Sequence, residues 1–328
     1  MKKIFLLSII FLLVAFIPKD SHHVATNIQA SVNRFSIDFY QAVLAGKDKN
    51  LFASPYSVST AFAMMQAGAS GVTLEELNKT LYFTQETDFH EKYAQHQKAL
   101  QDKLPPTLSL EIANALWIKK ECTFLPTYYD LMQKHYKAKI ENLDFNNPKQ
   151  TCDIINQWTS EKTHGKIPFI VSEDLITDDL RLIITNAIYF KSAWKKSFNV
   201  EDTEIRPFYT FRKDTLRVPF MHASGSYKYY SNQHLQMIEL PYTNEAVSML
   251  ILLPKSAKKF EKVEQLFTHQ NYESWAKQMT MKHNIQLYLP KFKIENNFNL
   301  NDNLQQMGIK KAFTVEAEFG KIIKKVPL

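Results

Sequence analysis

His90, Glu91 and His96 come nearest to a chemical motif in this chain. Two histidines and a glutamate on one helix could hold zinc and supply a general base. Two ligands to one metal must sit four residues apart, however, and a spacing of six turns the second histidine to the opposite face. His90 and His96 therefore read as surface residues. His164, His222, His234, His269 and His283 have no acid or nucleophile beside them in the chain, so a catalytic triad would have to be assembled from distant positions. No GxSxG elbow, GxxxxGK(S/T) phosphate loop, GxGxxG turn or CxxC pair occurs. The expectation is a protein that is not an enzyme, with no cofactor and no metal. Two cysteines, Cys122 and Cys152, either pair with each other or stay as buried thiols. Asn78 begins the sequon Asn78-Lys79-Thr80, which can carry a glycan if its helix face is exposed. The residue that stands out is Asn186, which interrupts the apolar run LIITNAIYF. A buried amide left unbonded costs about 1–3 kcal/mol, so Asn186 needs partners. The plain account is a core asparagine that fixes strand register.

The elements that would position these residues follow from periodicity. Val32, Phe35, Phe39 and Val43 predict a helix over 31–45 closed by Gly46. Ser54-Pro55 starts a second helix, with serine as cap and proline in the first turn. Thr73 and Glu76 predict a capping box for a third. IANALWI reads as a strand, a helix carries Tyr128, Tyr129 and Met132, and YKAKIENLDF is extended. Thr151 to Gly165 reads as a helix that buries Ile155 and Trp158, with Gly165 placed to stop it. LIITNAIYFK and VSMLILLPK read as strands covered on both faces, and NIQLYLPKFKI as an alternating strand. Leu300, Leu304 and Met307 form a last short helix ended by Gly308, whose exit runs into a connection with no further element. Helices early and strands late, without βαβ alternation, predict one large α+β domain.

Composition narrows the class. The chain has 328 residues, 45% hydrophobic and 22% charged, with no repeat and no Gly- or Pro-rich linker. Two lysines followed by the apolar run Ile4–Ile17 predict a signal peptide over about residues 1–20, its cleavage point unmarked. Export, solubility and an extracellular location follow as expectations. The net charge of +7 comes from scattered lysines, which fit a solvated surface; a polyanion such as a glycosaminoglycan could use them. No compact basic run interleaved with aromatics indicates nucleic acid.

Six segments in order carry a family resemblance: LFASPYSVSTAFAMMQAGASGVTLEELNKTL, ANALWIKKECTFLPTYYDLMQKHYKAKIENLDF, INQWTSEKTHGKIPFIV, TNAIYFKSAWKKSF, ELPYTNEAVSMLILLP and LPKFKIENNFNLNDNLQQMGIKKAFTVEAEF. Together they resemble the serpins from about Phe35 onward. The resemblance implies an α+β serpin domain over 30–328, with three β-sheets and eight to nine helices. It implies inhibition of serine or cysteine endopeptidases: a bait loop is cut and inserts as a new strand of the largest sheet. Ser54, Pro55, Ser57 and Asn186 match the polar shutter under the sheet opening, and Trp194 matches the breach where insertion begins. Asn156, Thr163, Gly165 and Lys166 match the helix that crosses the sheet and must move aside. These roles are mechanical. Family members continue past the equivalent of Leu328 with the hinge, reactive loop and final strands, so no reactive site is placed on this chain and the domain is expected to be incomplete. The expected alternatives to an inhibitor are a non-inhibitory binding protein or decoy, monomeric if folded, and more remotely a hydrolase.

Overall fold

Apolar residues at helical spacing gather the first third of the chain into a helical layer. The computed structural model describes residues 9–11, 23–44, 50–102, 104, 108–210, 214–243, 245–296 and 299–324. The predicted leader thus lies outside the described residues except for the short strand β1 (Ile9–Phe11). Helix α1 (His23–Leu44) begins eight residues earlier than its periodicity suggested and buries Val32, Phe35, Phe39 and Val43. Helix α2 (Pro55–Gln66) starts as predicted: the Ser54 hydroxyl accepts the Ser57 N–H at 3.2 Å and Pro55 occupies the first turn.

Helix α3 (Gly71–Leu81) departs from its predicted cap. It begins before Thr73, and the free N–H of Thr73 is met by Glu318, far along the chain. The Glu318 carboxylate accepts the Thr73 N–H at 3.1 Å, while the Glu318 N–H donates to the Thr73 hydroxyl at 3.0 Å. Glu76 instead accepts the backbone N–H groups of Lys310 and Lys311 at 2.8 and 2.6 Å. Helices α4 (Phe89–Asp102) and α5 (Pro126–Tyr136) complete this layer.

Strands β2 (Ser109–Lys119), β3 (Lys139–Leu143) and β4 (Leu182–Lys191) form a three-stranded sheet in the order β3-β2-β4. One face packs on the helical layer through Leu116, Ile118 and Ile184. Helix α6 (Pro148–Lys162) covers the other, where Trp158 meets Trp117 edge-on at 5.5 Å in a cluster with Ile155, Ala115 and Ala187.

The remaining strands are β5 (Glu204–Tyr209), β6 (Thr215–Ser231), β7 (Leu235–Pro241), β8 (Ser248–Pro254) and β9 (Thr280–Pro290). They run in the order β1-β8-β7-β6-β5, with β9 also paired to β6. Among the described residues there are two hydrogen-bonded sheets where three were expected. The cause is β6, 17 residues long, which pairs in turn with β5, β9 and β7 and so joins two sheets into one. Helices α7 (Phe260–Leu266) and α8 (His269–Lys277) pack against β7 and β8 through Val263, Phe267 and Trp275, and α9 (Asn301–Met307) returns to α1. The stretch after Gly308 is stitched down rather than left open. Ile322 is buried against Gly68, and Phe124 pairs with Ile323 in an isolated bridge.

Candidate functional site

Strand β4 differs from its reading as a doubly covered strand. Thr185 and Ala187 are buried, but most of the strand is only half covered, and among the described residues nothing pairs with its outer edge. Strand β8, by contrast, is buried almost throughout, as predicted. An edge with free N–H and C=O groups is a template for another strand.

Behind that edge Asn186 stands directly opposite Asn114 of β2. Asn186 Nδ2 donates to Asn114 Oδ1 at 2.8 Å, and Asn114 Nδ2 donates to the Tyr136 carbonyl at the end of α5 at 2.9 Å. Asn186 Oδ1 is buried and unbonded. The polar chain therefore runs from β4 through β2 to α5, and it does not reach the serines. Ser54 spends its hydroxyl as a helix cap, and neither Ser54 nor Ser57 bonds Asn186. Pro55 occupies the first turn of α2. Tyr56, between the serines, holds a buried phenol without a hydrogen-bond partner, and burial raises its pKa well above the usual value. Asn114 escaped the reading although it breaks IANALWI just as Asn186 breaks LIITNAIYF.

Helix α6 lies over the sheet and is braced by its own return segment. Asn156 donates to the Val171 carbonyl at 2.8 Å and accepts the N–H groups of Ile170 and Val171 at 2.8 and 3.0 Å. Buried Thr163 donates to the Thr159 carbonyl at 2.8 Å and accepts the Ile167 N–H at 3.0 Å. Gly165 holds φ of +74°, a left-handed turn that a side chain would strain, and its N–H returns to the Ser160 carbonyl. Exposed Lys166 contributes its backbone N–H to the Thr163 carbonyl. The helix and its return are thus one self-bonded unit. Its polar tie to the sheet is His164, whose Nε2 lies 2.7 Å from Glu111 Oε1 and whose ring sits 4.3 Å from that of Tyr189. That hydrogen bond lowers the pKa of Glu111.

Trp194, just past β4, stacks on Tyr242, with ring centroids 4.6 Å apart and planes at 10°. The two residues form an isolated bridge, flanked by Lys195 N–H to Pro241 O and Thr243 N–H to Ala193 O, both 3.0 Å. Tyr242 in turn meets Phe190 edge-on at 5.1 Å. Trp194 thereby joins the exit of β4 to the exit of β7. No local spacing marks Tyr242 as its partner; the two are brought together by that bridge and by the apolar cluster they share.

The structure corrects some expectations and decides between alternatives in others. Asn78 is only 5% exposed and accepts a hydrogen bond from Gln66, so the folded protein leaves no room there for a glycan. Cys122 and Cys152 are both free and buried in different apolar clusters, one on each side of the three-stranded sheet. His96 is 5% exposed, and His90 Nδ1 lies 2.7 Å from the Tyr136 hydroxyl, so neither is a surface residue. Burial pushes His90 down to about 4. An aromatic layer that sequence spacing does not reveal covers them: Phe89 meets His90, Tyr56 meets His96, and Phe83 and Tyr93 join the layer. Of the remaining histidines, His283 lies 2.8 Å from the Ser226 hydroxyl, but both are exposed and no carboxylate is bonded to that imidazole among the described residues. No group of residues suited to a metal and no helix long and apolar enough to cross a membrane is found among the described residues.

The arrangement comprises a strand edge unpaired among the described residues, a buried amide oxygen lacking a donor, and an overlying helix braced to itself. The family model described as Serpin (serine protease inhibitor) matches residues 30–328. An uncharacterized serpin-like protein of Thermococcus kodakarensis is 37% identical over 289 residues, covering 87% of this chain and 66% of the relative. Antithrombin-III of Mus musculus is 33% identical over 309 residues, covering 92% and 66%. The structure of reaction-loop-cleaved lamprey angiotensinogen superimposes with a TM-score of 0.84 at 27% identity, covering 91% of this chain and 89% of that one. The chain spans about two thirds of the length of these curated relatives.

Proposed function

Since this chain belongs to the serpin family, whose members are in the main protease inhibitors, we propose that it is the body of an exported inhibitor of serine or cysteine endopeptidases. The observation that carries this reading is the edge of β4, unpaired among the described residues, with the unbonded oxygen of Asn186 behind it. A strand laid along that edge would satisfy its backbone groups and could bring a donor to Asn186. The self-bonding of α6 supports the same reading, because a helix braced by Asn156 and Thr163 can shift over the sheet without unravelling. In this proposal a protease attacks a bait loop, stays attached as an acyl-enzyme, and is carried off as the freed loop becomes the strand beside β4. Trp194 and Tyr242 stand at the end of β4 where entry would start.

The test is to incubate the protein purified from its natural source with endopeptidases of trypsin-, chymotrypsin- and elastase-like specificity. The expected product is an SDS-resistant conjugate and a matching loss of protease activity. Protein that is cut by all three with no conjugate would refute inhibition and place it among family members that bind without inhibiting.

A further inference from the structure

Lys137, Lys139 and Lys162 line an open recess of about 490 Å³ between the C-terminal half of α6 and the β2–β3 side of the sheet. Its apolar wall is Ile112, Ala138 and the indole of Trp158. Lys139 is engaged, 2.7 Å from Glu141 and above the Trp117 ring at 5.1 Å. Lys137 and Lys162 are exposed and their ammonium groups have no hydrogen bond or ion pair among the described residues; Lys162 acts on Glu111 only at a distance. The single carboxylate in the wall, Glu161, accepts a hydrogen bond from Gln157 at 2.9 Å. Asn114, also in the wall, has both ends of its amide committed to Asn186 and Tyr136. With Lys139 matched by Glu141, two lysines without an ion pair, Lys137 and Lys162, and one carboxylate, Glu161, line an apolar recess.

We propose that this recess binds a small organic anion with a flat apolar body, and that its occupancy ties α6 to the sheet. The volume suits a molecule of two or three rings. A bare phosphate would leave the faces of Trp158 and Ile112 uncovered, whereas an aryl sulfonate, phosphate or carboxylate would cover them and pair its head with Lys137 and Lys162. Because the recess has α6 on one side and β2 with the α5–β3 turn on the other, the ligand would bridge the helix and the sheet it covers. The inference stands on the cavity and its charges and does not depend on the protease-inhibitor reading.

The test uses 8-anilinonaphthalene-1-sulfonate as probe, followed by its fluorescence and by energy transfer from tryptophan, with hydrogen exchange of residues 155–162 as a second readout. Binding is expected with slowed exchange in that part of α6. The pair Lys137→Glu and Lys162→Glu should weaken binding by about tenfold or more, Lys137→Gln with Lys162→Gln by less, and Lys258→Glu with Lys262→Glu not at all. Equal binding by the Lys137 and Lys162 variants, equal binding of a neutral anilinonaphthalene, or bound probe without protection of α6 would each overturn the proposal.

Discussion

Replacing Asn114 should damage the protein more than replacing Asn186, although Asn186 is the residue the family resemblance singles out. Asn114→Ala deletes two hydrogen bonds, at 2.8 and 2.9 Å, in a residue 4% exposed. It also strands the Asn186 amide and the Tyr136 carbonyl. With about 1 kcal/mol net per bond and a further penalty for each stranded group, the loss comes to about 2–4 kcal/mol. Asn186→Ala deletes one bond and strands Asn114 Oδ1, but it also removes an oxygen that is already buried and unbonded. These effects partly cancel, leaving about 1 kcal/mol. The difference, about 2 kcal/mol, is a large share of a net stability of about 5–15 kcal/mol. Urea unfolding at equilibrium measures it, and the double variant should cost less than the sum of the single ones because the two share a bond. If Asn186→Ala costs as much as Asn114→Ala, the polar chain does not run through β2 to α5 as described.

Three further outcomes are expected. Burial raises Glu264 to about 7, so its contribution to stability is fully present below the ordinary carboxylate pKa and is lost as pH rises through about 7. Glu264→Gln should therefore flatten the fall in stability between pH 5 and 8, by about 1 kcal/mol once solvent screening of this half-buried group is counted, as read from urea unfolding at a series of pH values. Asn78 should carry no glycan in protein secreted from a glycosylating host; a mobility shift on enzymatic deglycosylation would contradict its burial. A Cβ on Gly68 would lie 2.0 Å from Ile322 Cγ1, so Gly68→Ala should cost about 1–3 kcal/mol in thermal or urea unfolding, with partial rescue by Ile322→Ala.

Much of the fold was legible because its signs are local. Ser54-Pro55 marks a helix start through groups within one turn, Gly165 and Gly308 mark stops through left-handed φ, and the apolar text of β8 announces its burial. The need of Asn186 for partners was equally plain, and the same rule applied to IANALWI would have pointed to Asn114. Other features left no local mark. Thr73 and Glu76 have the spacing of a capping box, yet Glu318 caps α3 and Glu76 holds the N–H groups of Lys310 and Lys311. His90 and His96 look like surface residues on a helical wheel, but the aromatic layer closes over them.

The sequence by itself determined the α+β class, the position of most helices and strands, and the polar residues that had to be accounted for, because hydrogen-bonded turns and side-chain periodicity act over a few residues. Only the tertiary structure decided which partners those residues took, that Cys122 and Cys152 stay apart, that Trp194 meets Tyr242, and that one edge of β4 goes unpaired among the described residues. Those outcomes depend on how separate layers pack, and contact between groups far apart in the chain is set by the shape of the whole, which no local spacing encodes.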